Sequence, residues 1–379
     1  MKAQKAQKAQ FPRCVALVLG GGGLKGFAHI GVMRALEERG IEPTVYAGTS
    51  IGAYIAAAAV AGMSVDDMQR KAESLLRKDV FRIDHVTMLM ERMRTTSIYM
   101  EAPLRALCES VSPRMLFRDL PKRLLVNTVD VERGTQVVWG LPGLDDVPVS
   151  DAVYASCALP GAFPPGKVDG RVCVDGGVVD NLPAQIAAVG MDAVIAVDVG
   201  SSDLSPATDV TRKGFAAIYI RSATIMMHSL QQWPLATWQG PPMLLIRPRL
   251  GHVNWLGFGN TREVIEEGYR AAKEALLGWD SVVREPGGVH PRHPVRIAVD
   301  RDRCVSCMTC VALAPNVMAL DADRKAYPID PEREWTPADG DFVRHCPTAA
   351  ITVQRLDAES PEAGSTDVPR AAAPATKIA

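Results

Sequence analysis

The sequence lacks an excess of charge of either sign, and it lacks a long apolar run. Its 379 residues carry 42 Lys plus Arg against 43 Asp plus Glu, a formal net charge of -1. A nucleic-acid-binding domain usually shows a basic face or stripe, so we expect no nucleic-acid partner. No run approaches the roughly 18 apolar residues that are needed to span a bilayer, and we therefore expect no transmembrane anchor.

A secretory signal is also missing from the start of the chain. The basic repeat MKAQKAQKAQ is followed by VALVL, which is too short for a signal core and runs directly into glycines. We therefore expect a cytoplasmic protein. Residues 1–12 are predicted to be a disordered tail, and so are residues 355–379, which are rich in Ala, Pro, Asp and Glu.

Strand-like and helix-like segments alternate through most of the chain. Short apolar segments at 15–19, 45–47, 124–129, 172–174 and 193–198 are predicted strands, and helices are expected at 53–61, 212–231 and 261–277. This alternation predicts an α/β fold with a mainly parallel sheet covered on both faces. The Pro- and Gly-rich segment EPGGVHPRHP marks a boundary. We therefore expect a first domain over 13–280, a linker over 281–294 and a second domain over 295–354.

The pentapeptide Gly48-Thr49-Ser50-Ile51-Gly52 lies between a predicted strand and a predicted helix. This is the pattern of a nucleophile elbow, in which a sharp turn exposes a serine hydroxyl at the edge of a sheet. Gly48 and Gly52 lack side chains and allow close approach of the neighbouring backbone. Ser50 is therefore a candidate nucleophile.

A glycine-rich turn precedes the elbow, at Gly21-Gly22-Gly23-Leu24-Lys25-Gly26. A dinucleotide site would need an acidic residue at the end of the next strand, and a phosphate loop would need Ser or Thr after Lys25. Both are missing, so no nucleotide cofactor is expected. Unobstructed backbone amides at Gly21, Gly22 and Gly23 suit an oxyanion hole, with Lys25 shaping or charging the loop.

These two motifs and a later Asp175-Gly176-Gly177 resemble the patatin-like phospholipases in type and order. The resemblance covers roughly residues 13–280 and implies a three-layer α/β sandwich. It also implies hydrolysis of lipid carboxylic esters by a Ser–Asp dyad, with Ser50 as nucleophile and Asp175 as base. A buried aspartate near the hydroxyl has the raised proton affinity that this role needs.

A Ser–His–Asp triad is the competing mechanism, with His228 or His252 as the base, whereas His29 is expected to be packed or capping. The region 65–118 is expected to be a mainly helical cap whose methionines line either an acyl channel or a helix core. Contact with a lipid surface is a further expectation. It rests on three tryptophans and on three N-terminal lysines (Trp233, Trp238, Trp255, Lys2, Lys5 and Lys8).

Four cysteines are crowded near the C-terminus as Cys304-x2-Cys307-x2-Cys310 and Cys346-Pro. In a reducing compartment this crowding indicates metal or redox chemistry. The spacing begins the bacterial ferredoxin motif, and a shift of 32 residues places a degenerate second copy on the Cys346-Pro pair. The other four cysteines are scattered and expected to be buried thiols (Cys14, Cys108, Cys157 and Cys173).

Residues 295–354 thus resemble a single-cluster bacterial ferredoxin, a small α+β domain. The resemblance implies one [4Fe–4S] cluster held by the four crowded cysteines, with tetrahedral zinc as the rival metal. The whole chain is therefore expected to be a lipid acyl hydrolase whose second domain regulates, docks a redox partner or transfers electrons. Two alternatives are an acyltransferase with the same dyad, and an electron-transfer protein whose hydrolase-like domain binds lipid or a partner.

Overall fold

The computed structural model describes residues 12–83, 97–112, 115–200, 210–251, 253 and 258–357. These residues divide into two compact units. The first lies within Met1–Pro291 and includes Thr336–Asp339, and the second lies within Arg292–Trp335 and Gly340–Ala379.

The first unit is built on a nine-stranded sheet in the order β5-β6-β3-β2-β1-β7-β8-β9, with β4 paired to β3. Strands β3, β2, β1, β7, β8 and β9 run parallel, and β4, β5 and β6 are antiparallel to their neighbours. The strands are β1 (Val15–Leu19), β2 (Val45–Thr49), β3 (Arg123–Asp130), β4 (Thr135–Trp139), β5 (Gly166–Val168), β6 (Arg171–Asp175), β7 (Ala193–Val197), β8 (Met243–Ile246) and β9 (Val289–His290).

Helices cover both faces of this sheet, because the strand side chains alternate between two buried cores. Leu17 and Leu19 belong to the larger core, whereas Ala16 and Val18 belong to the smaller one. The helices are α1 (Ala28–Glu38), α2 (Ile51–Val60), α3 (Val65–Ser74), α4 (Glu101–Glu109), α5 (Val149–Cys157), α6 (Ala184–Ala187), α7 (Phe215–Ala236), α8 (Thr261–Leu276) and α9 (Trp279–Val282). The predicted three-layer α/β architecture is confirmed.

The second unit is a small α+β domain. Its three-stranded antiparallel sheet has the order β13-β10-β14, and β11 and β12 form a separate hairpin. Its core contains Val295, Ile297, Phe342 and Ile351. The elements are β10 (His293–Val299), α10 (Thr309–Leu313), β11 (Met318–Leu320), β12 (Ala326–Pro328), β13 (Glu332–Trp335), α11 (Asp341–Arg344) and β14 (Ile351–Arg355).

Candidate functional site

Ser50 lies at the sharp turn between β2 and α2. Its backbone has φ 57° and ψ -127°, a conformation that residues other than glycine rarely adopt. A Cβ on Gly48 would lie 2.5 Å from the amide nitrogen of Ala53, and one on Gly52 would lie 2.0 Å from the carbonyl oxygen of Leu19. A side chain at either glycine would therefore displace backbone, as expected for a nucleophile elbow.

Asp175 ends β6 and faces Ser50. The Ser50 hydroxyl lies close enough to this carboxylate to lower its pKa, and the Gly177 amide donates to Asp175 Oδ1 at 2.8 Å. Asp175 is 3% exposed. Burial raises the pKa of Asp175 to about 6, although the hydrogen bonds from Ser50 and Gly177 act in the opposite direction. A carboxylate with this pKa is suited to accept and return a proton near neutral pH.

The glycine loop lies directly beside the nucleophile. A Cβ on Gly21 would lie 3.1 Å from Ser50 Cβ, and one on Gly22 would lie 2.9 Å from a methyl group of Val199. Gly23 begins a short 3-10 turn and lines the same cavity as Ser50. Lys25 lies within that turn and is buried. Small residues are thus required where the loop approaches the hydroxyl.

The two glycines that follow Asp175 also lie against backbone or packed side chains. A Cβ on Gly176 would lie 2.5 Å from the carbonyl oxygen of Asn127, and one on Gly177 would lie 2.7 Å from Met227 Cε. The Asp-Gly-Gly motif therefore fits between β3 and α7 because it carries no side chains beyond that of the aspartate.

Two buried polar residues that the sequence did not single out hold the elbow in place. The Ser156 hydroxyl accepts a hydrogen bond from the Ser50 amide at 2.8 Å and donates to the Asn127 carbonyl at 2.7 Å. The Asn127 side-chain amide donates to the Asp180 carbonyl at 2.6 Å. One sequence signal was present, since Asn127 and Thr128 are polar residues inside the apolar strand β3.

Asn181 clamps the glycine loop from its other side. Its Nδ2 donates to the Gly21 carbonyl at 3.0 Å, and its own carbonyl accepts from the Gly21 amide at 3.2 Å. Asn181 Oδ1 is buried and has no hydrogen-bond partner among the described residues. A Cβ on Gly21 would lie 2.5 Å from this oxygen. Asn181 therefore fixes the conformation of Gly21 at two points.

Ser50 and Asp175 open into a cavity of about 360 Å³. Its walls are almost entirely apolar, and Phe81, Tyr99 and Phe163 form an aromatic cluster with ring centroids 5.0 to 5.8 Å apart. Other lining residues include Leu24, Phe27, Ile51, Tyr54, Leu75, Val80, Ile98, Leu104, Leu107, Cys157, Leu159, Ala162 and Tyr219. A cavity of this kind suits the hydrocarbon part of a substrate.

None of the described histidines lines this cavity. His29 is fully buried, its Nε2 lies 2.8 Å from the Gly20 carbonyl oxygen, and burial lowers its pKa to about 4. It therefore serves packing and loop support, as the sequence suggests. His228 is buried within α7, where its Nε2 lies 3.3 Å from Gln232 Nε2. His252 lies outside the described residues.

Several other residues with predicted roles also lie outside the described ranges. They are Met88, Met90, Met93, Trp255, Lys2, Lys5 and Lys8. Met100 is 39% exposed and does not belong to the cavity lining. Trp238 donates its indole N–H to the Pro241 carbonyl at 2.8 Å, whereas Trp233 is 74% exposed.

In the second unit, Cys304, Cys307, Cys310 and Cys346 line one small cavity. The Ala350 amide donates to Cys346 Sγ at 3.3 Å. The Thr309 hydroxyl lowers the pKa of Cys307 by hydrogen bonding to its sulfur. Donors of this kind favour the thiolate, which is the form that binds metal.

Within the described residues, no group of three or more Cys, His, Asp or Glu side chains is close enough to hold a metal ion. A tetrahedral zinc site needs four sulfurs around one ion. In a [4Fe–4S] cluster, four cysteine sulfurs bind separate irons. The four cysteines share one cavity with apolar walls, and an amide donates to Cys346 Sγ, so this donor set is compatible with either group.

Two segments of the chain match known protein families. Residues 17–188 match the patatin-like phospholipases, and residues 299–353 match the 4Fe-4S single cluster domain of ferredoxin I. Both predicted resemblances are confirmed.

Three curated proteins are each similar to part of the chain. An uncharacterized NTE family protein of Mycobacterium tuberculosis is 37% identical over 209 residues, which are 55% of this chain and 54% of that protein. Lysophospholipase nte1 of Emericella nidulans is 29% identical over 70% of this chain and 18% of its own length. Human patatin-like phospholipase domain-containing protein 6 is 28% identical over 70% of this chain and 20% of its own length. The chain thus spans about half of the mycobacterial protein and about a fifth of the other two.

None of the described helices is both long enough and apolar enough to span a membrane.

Proposed function

We propose that this protein is a lipid acyl hydrolase with an iron–sulfur domain, because residues 17–188 match the patatin-like phospholipases and residues 299–353 match the 4Fe-4S single cluster domain of ferredoxin I. The observation that carries the proposal is that the strained Ser50 and the buried Asp175 lie together at the wall of one apolar cavity. The curated relatives named lysophospholipase or phospholipase support a phospholipid or lysophospholipid as substrate.

The reaction proceeds in two halves that share Asp175 as the base. Asp175 takes the proton of Ser50 Oγ while that oxygen attacks the ester carbonyl carbon. The tetrahedral intermediate collapses, the alcohol leaves with the proton from Asp175, and the acyl group remains on Ser50. Water then attacks the acyl-serine and gives its proton to Asp175, after which the acid leaves and Ser50 regains the proton. Transfer to another alcohol would share the first half and differ in the second.

Two backbone amides near the nucleophile already donate hydrogen bonds within the protein, which reduces the number of candidate oxyanion donors. The amide of Gly21 donates to Asn181, and the amide of Ser50 donates to Ser156. We therefore assign the amides of Gly22 and Gly23 to the oxyanion, with Gly21 giving room beside the nucleophile and Lys25 supporting the turn. Backbone donors fixed in advance stabilise the developing charge without reorganisation.

The test is hydrolysis of a fluorogenic acyl ester by wild type, Ser50→Ala and Asp175→Asn. Ser50→Ala is expected to lose about 10⁴-fold or more in kcat/KM, and Asp175→Asn about 10³-fold or more. An exposed serine variant, Ser110→Ala, serves as the matched control and should retain activity. Full activity in Ser50→Ala would overturn the proposal. If Asp175→Asn is fully active and the protein shows a reversible cluster couple, the electron-transfer alternative gains support.

For the second unit we propose one [4Fe–4S] cluster bound by Cys304, Cys307, Cys310 and Cys346. The cluster would supply one-electron chemistry or a fixed scaffold, and a redox partner protein is part of the proposal. Iron and sulfide analysis together with electron paramagnetic resonance of the reduced protein tests it. Stoichiometric zinc in place of iron would overturn it. An oxygen-sensitive centre and free thiols suit a reducing compartment, so we place the protein in the cytoplasm, in peripheral contact with a membrane.

A further inference from the structure

Helix α7 carries large apolar side chains on the side that faces away from the protein. Ile218, Ile225, Met226, Leu230 and Trp233 are 44, 43, 57, 48 and 74% exposed. Their spacing places them on one side of the helix. The other exposed residues between 218 and 233 are Tyr219, Ser222 and Ser229, and Arg221 is intermediate in exposure. These five apolar residues are called the docking face below.

The docking face continues into the wall of the catalytic cavity. Tyr219 is 37% exposed and lines the cavity, and its hydroxyl donates to the Pro160 carbonyl at 3.0 Å. Ile98 is also 37% exposed and lines the cavity, and its amide donates to the Gly161 carbonyl at 3.1 Å. Exposed apolar side chains from two separate segments therefore meet beside the cavity.

The opposite side of α7 packs on the catalytic loop. Met227 is 6% exposed, and its Cε lies 2.7 Å from the position of a Cβ on Gly177, two residues after Asp175. One helix thus presents an apolar face outward and contacts the Asp-Gly-Gly motif with its inner side.

We propose that the docking face of α7 seats the enzyme on a lipid surface and places the cavity beside the acyl chains. This inference rests on the proposed function, because the cavity is the path by which an acyl chain reaches Ser50. Helices that lie in a membrane interface bury an apolar face containing aromatic and aliphatic residues, and tryptophan is favoured at the boundary with water. A lipid surface is the occupant that this placement favours, since an acyl chain leaving it enters the adjoining cavity without crossing water.

The experiment uses the full-length, cluster-loaded protein and vesicles of equal parts phosphatidylcholine and phosphatidylglycerol. Flotation is measured in a Ser50→Ala background so that the vesicles remain intact. The double variant Ile225→Asp/Leu230→Asp is expected to reduce vesicle binding about tenfold or more, because carboxylates do not enter the apolar zone without a large cost. Leu277→Asp is the matched control, since Leu277 is 86% exposed and lies outside α7, and it should bind like the parent.

Hydrolysis of a dissolved short-chain ester separates docking from chemistry. With Ser50 intact, the double variant should hydrolyse this ester at the wild-type rate and lose activity on vesicles. A Trp233→Ala variant should weaken flotation severalfold. Because it introduces no charge, its effect cannot be attributed to unfolding caused by the two added carboxylates.

Three results would overturn the docking proposal: no flotation of the parent protein, equal flotation of the double variant and the Leu277→Asp control, or a dimer in sedimentation velocity that the double variant dissociates without changing flotation. Failure of the proposed function has a different signature. In that case neither ester form is hydrolysed, while flotation still depends on the docking face.

Discussion

At the residue scale, the central feature is the buried carboxylate of Asp175. Asp175 is buried at the end of β6, and its burial raises its pKa to about 6. Ordinary aspartates titrate near 3.9 and would be weak bases for a serine hydroxyl. The Gly177 amide, which donates to Asp175 Oδ1, and the nearby Ser50 hydroxyl act against this rise.

This environment predicts the pH dependence of the reaction. Asp175 acts in its deprotonated form, so kcat/KM is expected to rise with pH through about 6 and to level off above it. Below that value the carboxyl is protonated and activity falls about tenfold for each pH unit. A rate profile from pH 4.5 to 8.5, on a dissolved ester and with folding checked by circular dichroism, measures this. A profile without an acidic limb in that range would contradict the assignment.

Asn181 is the second residue with a specific expectation. Replacement by Ala removes the side-chain donor to Gly21, and a displaced oxyanion loop is expected to lower kcat about 10- to 100-fold with little change in KM. Asn316→Ala, an exposed site in the second unit, is the control. A proportional rise in KM with unchanged kcat would show that Asn181 acts in substrate binding and not in loop positioning.

The sequence identified Ser50, Asp175 and the glycines because each lies in a short contiguous motif. It did not identify Ser156 or Asn181, since their partners lie 106 and 160 residues away along the chain. The structure brings Ser50, Asp175 and the glycine loop to one site, whereas their catalytic roles stay a prediction. β3 lies beside both β2 and β6. Contacts that depend on this strand order cannot be predicted from a local sequence motif.

At the scale of elements, the packing of α1 against α8 depends on two glycines. A Cβ on Gly31 would lie 1.8 Å from the Ile265 carbonyl oxygen, and one on Gly268 would lie 2.0 Å from the Ala28 carbonyl oxygen. The two helix backbones are thus in direct contact. This contact supports α1, which follows the 3-10 turn of the glycine loop.

Substitution of Gly268 is therefore expected to separate the helices. Gly268→Val should lower the free energy of unfolding by about 3 kcal/mol, because an added side chain must displace backbone. Gly278→Ala is the matched control, since its Cβ would meet an atom no nearer than 3.8 Å. Urea unfolding followed by circular dichroism compares the two, and equal midpoints would contradict the close contact.

The observed ends of elements agree with the predicted ones where the apolar periodicity is strong. Helix α8 ends within one residue of its expected position, whereas α7 covers Phe215–Ala236 and not 212–231. It continues past Pro234 because buried Leu235 prolongs its packed side. In the described part of region 65–118, α3 and α4 are α-helices, and residues 84–96 and 113–114 lie outside the described residues. Residues 289–290, inside the expected linker, form the edge strand β9.

At the scale of the whole molecule, two units with different chemistry lie in one chain. The degenerate second copy of the ferredoxin motif predicts Cys346 as the fourth ligand, although it lies 36 residues after Cys310 in the sequence. Both cysteines line the same cavity, which supports this reading.

Cys346→Ser is expected to abolish the cluster. Loss of one thiolate should remove the broad visible absorption and lower the iron content from about four per chain towards zero. Cys14→Ser, a cysteine of the first unit, is the control and should keep both. Retention of a full cluster in Cys346→Ser would show that another residue supplies the fourth ligand.

The most direct test of the central claim, that Ser50 is a nucleophile activated by Asp175, is covalent labelling by an alkyl fluorophosphonate followed by intact mass and peptide mapping. The account predicts one label per chain on Ser50 in wild type at pH 8, no label in Ser50→Ala, and labelling slowed at least 100-fold in Asp175→Asn. A label on any other residue, or equally fast labelling of wild type and Asp175→Asn, would contradict it.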